Sequence, residues 1–107
     1  MIHIVATWKI KPEYADSWPS LSKEFTEATR SEPGNRWFEW SRSIDDPNAY
    51  VLIEAFDDDA AGAHVNSDHF AKATAELPAY LAETPKIINT TVDQDEWSEL
   101  GEMAVDA

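Results

Sequence analysis

The stretch Ala49–Phe56 is largely apolar on both of the faces that a β-strand would present. It reads AYVLIEAF and is rich in the β-branched and aromatic residues that strands favour. Because alternate residues of a strand point to opposite sides, Tyr50 and Leu52 share one face. Val51 and Ile53 share the other face. An antiparallel strand of this kind needs cover on both sides. Helices of the same chain can supply one cover, and we expect a second copy of the chain to supply the other.

Three other segments have the residue pattern of strands, namely 2–10, 36–44 and 86–93. The first two alternate between their faces, and the third is rich in Ile, Thr and Val. In the second segment, Ile44 is expected to share a face with Phe38 and Trp40. Turn-forming residues flank this segment on both sides, which predicts a hairpin onto the strand Ala49–Phe56.

Two segments have the spacing of amphipathic helices. The first carries one apolar stripe of Tyr14, Trp18, Leu21, Phe25 and Ala28. Pro19 must kink this helix or confine its regular part to residues after Ser17. Ser67 is expected to cap the second helix, which carries Phe70, Ala73 and Leu77. The resulting order, β-α-β-β-α-β, predicts an α+β fold of the ferredoxin-like type.

The length of 107 residues allows one domain, which we place at residues 1–93. Residues 94–107 form an acidic tail, which we expect to dock through Trp97 and Leu100 on its own subunit or on the partner. The alternative is a disordered tail. The formal net charge of −13 argues against nucleic acid and anionic membranes as partners, because both would be repelled. No apolar run is long enough to cross a bilayer, and we expect a cytoplasmic protein.

The segment 64–70, HVNSDHF, concentrates the side chains that could perform chemistry. Histidine titrates near neutral pH, so His64 and His69 are candidate proton-transfer groups. Asn66 and Ser67 could donate hydrogen bonds to a substrate anion. The alternative is structural, with Ser67 as a helix cap and both histidines at the surface.

Several short motifs in a fixed order resemble the antibiotic-biosynthesis monooxygenase (ABM) domain family, in particular its quinol-monooxygenase-like members. The motifs are Glu32-Pro33-Gly34, Asp46-Pro47-Asn48, Phe56-Asp57 and His64-x-x-Ser67-x-His69-Phe70. The resemblance spans about residues 2–93 and implies a dimeric α+β barrel that closes through the open sheet face. Asn35, Ala55 and Phe56 depart from the residues common in the quinol branch.

The resemblance implies oxidation of a hydroquinone or similar electron-rich aromatic with dioxygen, without any cofactor. The haem-degrading branch uses an Asn, a Trp and a His at positions that here hold Ala6, His64 and Thr74, so haem cleavage is not expected. Two other functions stay open on the same scaffold. One is a non-catalytic, small-molecule-binding or stress-associated dimer, and the other is an isomerase that uses the same histidines.

The predicted catalytic residues are His64, His69 and Glu54. Glu54 shares a strand face with Leu52 and Phe56, where an unpaired carboxylate is costly. We expect it to pair with Arg36, Arg42 or a histidine, or to lie in a wet cavity. The predicted substrate-binding residues are Trp8, Phe38, Trp40, Leu52, Asn66, Ser67, Phe70 and Tyr80. No metal site is predicted, because the two histidines have no third ligand at a known spacing.

Overall fold

A computed structural model describes residues 1–105 and contains a single antiparallel sheet with helices on one side. Its strands are β1 (Ile2–Lys9), β2 (Asn35–Arg42), β3 (Ala49–Phe56) and β4 (Lys86–Thr91). Their order across the sheet is β2-β3-β1-β4. The predicted ferredoxin-like arrangement is therefore confirmed. The last two residues of the predicted tail, 106 and 107, lie outside the described residues.

The helical layer is built from short pieces. The α-helices are α1 (Trp18–Leu21), α2 (Lys23–Arg30), α3 (Ala61–Val65) and α4 (Asp68–Glu76), and 3-10 turns cover Pro12–Ser17, Leu77–Tyr80 and Gly101–Met103. Pro19 lies in the first turn of α1, as the prediction of a regular helix only after Ser17 requires. Ser67 caps α4, since its Oγ accepts a hydrogen bond from the backbone N–H of Phe70 at 3.2 Å. Within residues 1–105, every helix falls short of the length and hydrophobicity that a membrane-spanning segment needs.

The main core lies between the sheet and these helices. Three indole rings form its centre, with the ring of Trp8 5.6 Å from that of Trp18 and 5.2 Å from that of Trp40. The indole N–H of Trp40 donates to Oγ1 of Thr26 at 2.9 Å, which satisfies a polar group on the edge of this core. Aromatic burial therefore fixes the first helical segment against β1 and β2.

The prediction that β2 continues to Ile44 is wrong. The strand ends at Arg42, and Ile44 is 101% exposed. The reason is a side-chain-stabilised turn, because Oγ of Ser43 accepts hydrogen bonds from the backbone N–H groups of Asp45 and Asp46. These bonds turn the chain before Ile44 can pair with β3.

Among the described residues, little covers the opposite face of the sheet. It carries Val51 and Ile53 of β3, and Ile88 of β4 is 71% exposed. At one corner the tail lies against the sheet, where the rings of Trp97 and Trp37 are 5.5 Å apart. This contact agrees with docking through Trp97. Leu100, the other predicted anchor, is 64% exposed.

Candidate functional site

A cavity of about 370 Å³ lies between the sheet and the helices. Its sheet side is formed by β1 and β3, and its helix side by α3 and α4. The lining is mainly apolar, and its polar side chains are Glu54, His64, Thr74 and Asn89. Ile87 and Asn89 of the exposed strand β4 mark the rim. A largely apolar space with few polar groups is typical of a site for a small organic ligand.

Three of the predicted substrate-binding residues line this cavity, namely Trp8, Leu52 and Phe70. The other five are absent from its lining: Phe38, Trp40, Asn66, Ser67 and Tyr80. Each of these five has another place in the fold. Phe38 and Trp40 belong to the packed core, Ser67 caps α4, Asn66 is exposed at the end of α3, and Tyr80 packs on Tyr14.

His64 is the histidine that reaches the cavity. It lies near the end of the short helix α3 and is 6% exposed. Its ring centroid lies 4.9 Å from that of Phe56 and 5.1 Å from that of Phe70, so aromatic contacts hold the imidazole in place. A buried imidazole needs a hydrogen-bond partner, and Nδ1 of His64 lies 2.7 Å from Oε2 of Glu32.

His69 lies in the first turn of α4 and does not line the cavity. Its Nε2 lies 2.5 Å from the same oxygen of Glu32. An ionised carboxylate oxygen can only accept hydrogen bonds, so both imidazole nitrogens must donate to it. His64 then carries its proton on Nδ1, which leaves the lone pair of its Nε2 free to act as a base.

Glu32 is a candidate site residue that the sequence motifs included but did not assign to the site. It lies in the turn between α2 and β2, two residues before Gly34. A Cβ on Gly34 would stand 2.2 Å from Cβ of Ala60, so only glycine lets this turn pack directly before α3. The carbonyl of Gly34 also accepts from the backbone N–H of Asp57 at 2.9 Å. This close packing places Glu32 beside His64.

Glu54 is 8% exposed and faces the cavity from the centre of the sheet. Burial, and next the negative charge of Glu32, raise the pKa of Glu54 to about 7. The predicted arginine partners are engaged elsewhere, since Arg36 pairs with Asp57 and Arg42 with Asp16, both at 2.8 Å. The expected pairing of Glu54 with a histidine is also absent within residues 1–105, because Glu32 takes that position.

The comparison with protein families matches residues 1–76 to the model called "Antibiotic biosynthesis monooxygenase". The chain belongs to the antibiotic biosynthesis monooxygenase (ABM) family. A curated relative, "Putative monooxygenase YcnE" of Bacillus subtilis (strain 168), is 25% identical over 93 residues. That alignment covers 87% of this chain and 92% of the relative. The resemblance that the sequence motifs indicate is thereby confirmed.

Solved structures of other ABM proteins have the same fold. A protein from Caulobacter crescentus CB15, titled as a putative antibiotic biosynthesis monooxygenase, is 27% identical with a TM-score of 0.77. The match covers 89% of this chain and 90% of that one. A protein from Deinococcus radiodurans with the same title has a TM-score of 0.80 at 19% identity, over 92% of this chain and 99% of that one. At that low identity the likeness concerns the fold alone.

Proposed function

We propose that this ABM protein is a monooxygenase that oxidises a hydroquinone or a similar electron-rich aromatic with dioxygen. The observation that carries the proposal is the apolar cavity with a buried histidine in its wall. Glu32 holds that histidine in the tautomer whose free nitrogen is a base. Trp8, Leu52 and Phe70 supply the apolar and aromatic surface that an aromatic ring would contact.

The first step is proton transfer from a phenolic hydroxyl to Nε2 of His64. The resulting imidazolium is stabilised by the carboxylate of Glu32, as in other His–carboxylate pairs. The electron-rich phenolate then gives one electron to dioxygen, which forms a phenoxyl radical and superoxide. These recombine at a ring carbon to form a peroxide anion, which takes the proton back from His64. The hydroperoxide then loses water, as its O–O bond and the C–H bond of the same ring carbon break, which leaves a carbonyl at that carbon. One oxygen atom therefore enters the product and one leaves as water.

Glu54 supports this sequence as a second proton-carrying group in the cavity. Because its pKa is raised to about 7, Glu54 is protonated in a large fraction of the protein molecules at neutral pH. A protonated carboxyl can donate a hydrogen bond to the phenolate or the peroxide, as an acid in an apolar site can. His69 does not touch the cavity, and it contributes by holding Glu32.

The proposal includes three further expectations that the sequence suggested. The chain acts as a homodimer that closes over the open face of the sheet, it works in the cytoplasm, and it needs no flavin, haem or metal. The apolar residues Val51, Ile53 and Ile88 on the open face support the dimer, because large exposed apolar patches are rare on monomers.

Oxygen uptake by the purified protein tests the function directly. The substrates are a panel of hydroquinones and anthrones, since both yield electron-rich anions after one deprotonation. We expect uptake with at least one of them, undiminished after exhaustive chelation and without flavin or haem absorbance. Absence of oxygen uptake with the whole panel would contradict the proposed monooxygenase function. Loss of uptake on chelation, restored by one specific metal, would overturn the cofactor-free assignment.

A further inference from the structure

Glu32, His64 and His69 form a cluster of potential metal ligands. Nδ1 of His64, Nε2 of His69 and a carboxylate oxygen of Glu32 all lie within 4.8 Å of one another. Two imidazole nitrogens and one carboxylate oxygen form a common ligand set for Zn²⁺ at sites that keep a fourth position for water. Sequence spacing does not reveal this set, because Glu32 is 32 positions away from His64 along the chain.

The geometry of the cluster suits an ion after a small adjustment. Its present contacts of 2.7 and 2.5 Å are hydrogen-bond lengths. Ligands around a tetrahedral zinc, with bonds of about 2.0–2.1 Å, lie roughly 3.3 Å apart. The two nitrogen–oxygen distances must therefore open by less than ~1 Å. The two imidazole nitrogens lie within 4.8 Å of each other and must come to the same spacing of roughly 3.3 Å. The side chain of Glu32 can supply the first movement and the partly exposed ring of His69 the second, while aromatic contacts hold the ring of His64.

The cluster also has an edge towards solvent. The side chains of Glu32 and His69 are 13% and 23% exposed, whereas that of His64 is 7% exposed. An ion can therefore enter from the surface next to α4 without passing through the cavity. The same edge can hold the water molecule that completes the coordination.

The electrostatic environment favours a cation at this position. Glu32 and Glu54 are close enough that the charge of the first helps to raise the pKa of the second. Within residues 1–105, no Lys or Arg side chain makes an ion pair with either carboxylate. The chain as a whole carries a formal net charge of −13. A divalent ion would neutralise the local negative charge and be attracted by the overall charge.

We propose that Glu32, His64 and His69 bind one divalent transition-metal ion, with Zn²⁺ as the representative, and that the bound ion inactivates the base of the cavity. A metal on Nδ1 of His64 moves the ring proton to Nε2, the nitrogen that must be free in the proposed oxidation. The inactivation rests on the proposed function, whereas the metal site does not. The ion here is an inhibitor, and turnover does not require it.

Titration calorimetry with Zn²⁺ alone tests the site on the full chain without any substrate. We expect one strong site per chain that Ca²⁺ does not compete for, because nitrogen ligands favour zinc. Glu32→Gln and His69→Ala should each weaken binding by at least ~10²-fold, since each removes one of three ligands. Both residues are partly exposed, and circular dichroism will show that the variants fold.

The third histidine provides the matched control. His3 lies on the opposite face of the sheet, with its ring 6.2 Å from that of Trp37. His3→Ala should therefore bind Zn²⁺ as the wild type does. Absence of a strong site would overturn the proposal, and so would equal affinity in the wild type, Glu32→Gln and His69→Ala. Competition by Ca²⁺ would also overturn it, because it indicates binding to surface carboxylates.

An activity measurement separates the two parts of the proposal. If the proposed function holds, stoichiometric Zn²⁺ should lower the rate of oxygen uptake by at least ~10-fold, and a chelator should restore it. Calorimetric binding at the cluster without inhibition would overturn the inactivation of His64 and leave the metal site standing. A protein without any oxygen uptake that still binds Zn²⁺ through Glu32 and His69 would contradict the proposed function alone.

Discussion

The two faces of the sheet differ in what covers them and in what they do. The helix-covered face holds a closed aromatic core at one end and, at the other, a cavity with Glu54 and His64 in its wall. The open face carries apolar residues, and within residues 1–105 only the tail contact at Trp37 begins to cover them. On the covered face, the unfilled space is where we expect a ligand to bind and react. On the open face, the apolar surface left uncovered is where we expect the second copy of the chain.

The largest effect should come from a charge placed in the centre of the open face. Ile53→Asp would bury an unpaired carboxylate in the predicted dimer, at a cost of several kcal/mol. We expect the dissociation constant to rise by roughly 10²–10³-fold, as measured by sedimentation velocity. The control is Ile44→Asp, because Ile44 is 101% exposed in the turn after β2. This change should leave the dissociation constant as in the wild type. A wild-type chain that sediments as a compact monomer at micromolar concentration would contradict the predicted dimer.

The second effect concerns the unpaired carboxyl group on the covered face. Between its ordinary value of 4.5 and its raised pKa of about 7, Glu54 binds more protons in the folded than in the unfolded chain. Its contribution to stability is therefore lost as the pH rises through this range, by about 3 kcal/mol in total. Glu54→Gln removes this loss.

Urea unfolding of the wild type and Glu54→Gln at pH 4 and pH 8 measures this effect. The variant should gain about 3 kcal/mol relative to the wild type between these pH values. Glu13→Gln serves as the control, since Glu13 is exposed in the first 3-10 turn. An equal pH dependence of the wild type and Glu54→Gln would show that Glu54 ionises freely, as a solvated carboxyl does.

The smallest effect should come from the tail on the open face. Trp97→Ala removes the ring contact with Trp37 and should lower the free energy of unfolding by about 1 kcal/mol. Leu100→Ala is the matched change, and it should stay within ~0.5 kcal/mol of the wild type, because Leu100 is 64% exposed. Equal stabilities of the two variants would indicate that the tail is not docked on the sheet.

The fold could be predicted from the sequence because its signals are local. Each signal depends only on residues close together in the sequence. The signals are the period-two alternation of β1, the helix cap at Ser67 and the proline at position 19, and the structure agrees with all three. The end of β2 was missed because the hydroxyl of Ser43 turns the chain while the apolar alternation continues to Ile44.

The site was predicted only in part, because its decisive contacts are non-local. Residue type and strand parity indicated His64 and Glu54 as candidate site residues. They could not place Glu32 beside two histidines that lie 32 and 37 positions away in the sequence. Strand parity assigns Phe38 and Leu52 to the same face, but only three-dimensional packing shows that Phe38 fills the core and Leu52 lines the cavity.

The central claim is that His64 on the covered face acts as the base for oxidation of an aromatic substrate. The most direct test is steady-state oxygen uptake by the wild type and His64→Ala across pH, on a substrate that the wild type turns over. The account predicts that kcat falls by roughly 10²-fold or more in His64→Ala, the scale of a lost general base. Full activity of His64→Ala with an unchanged pH profile would contradict it.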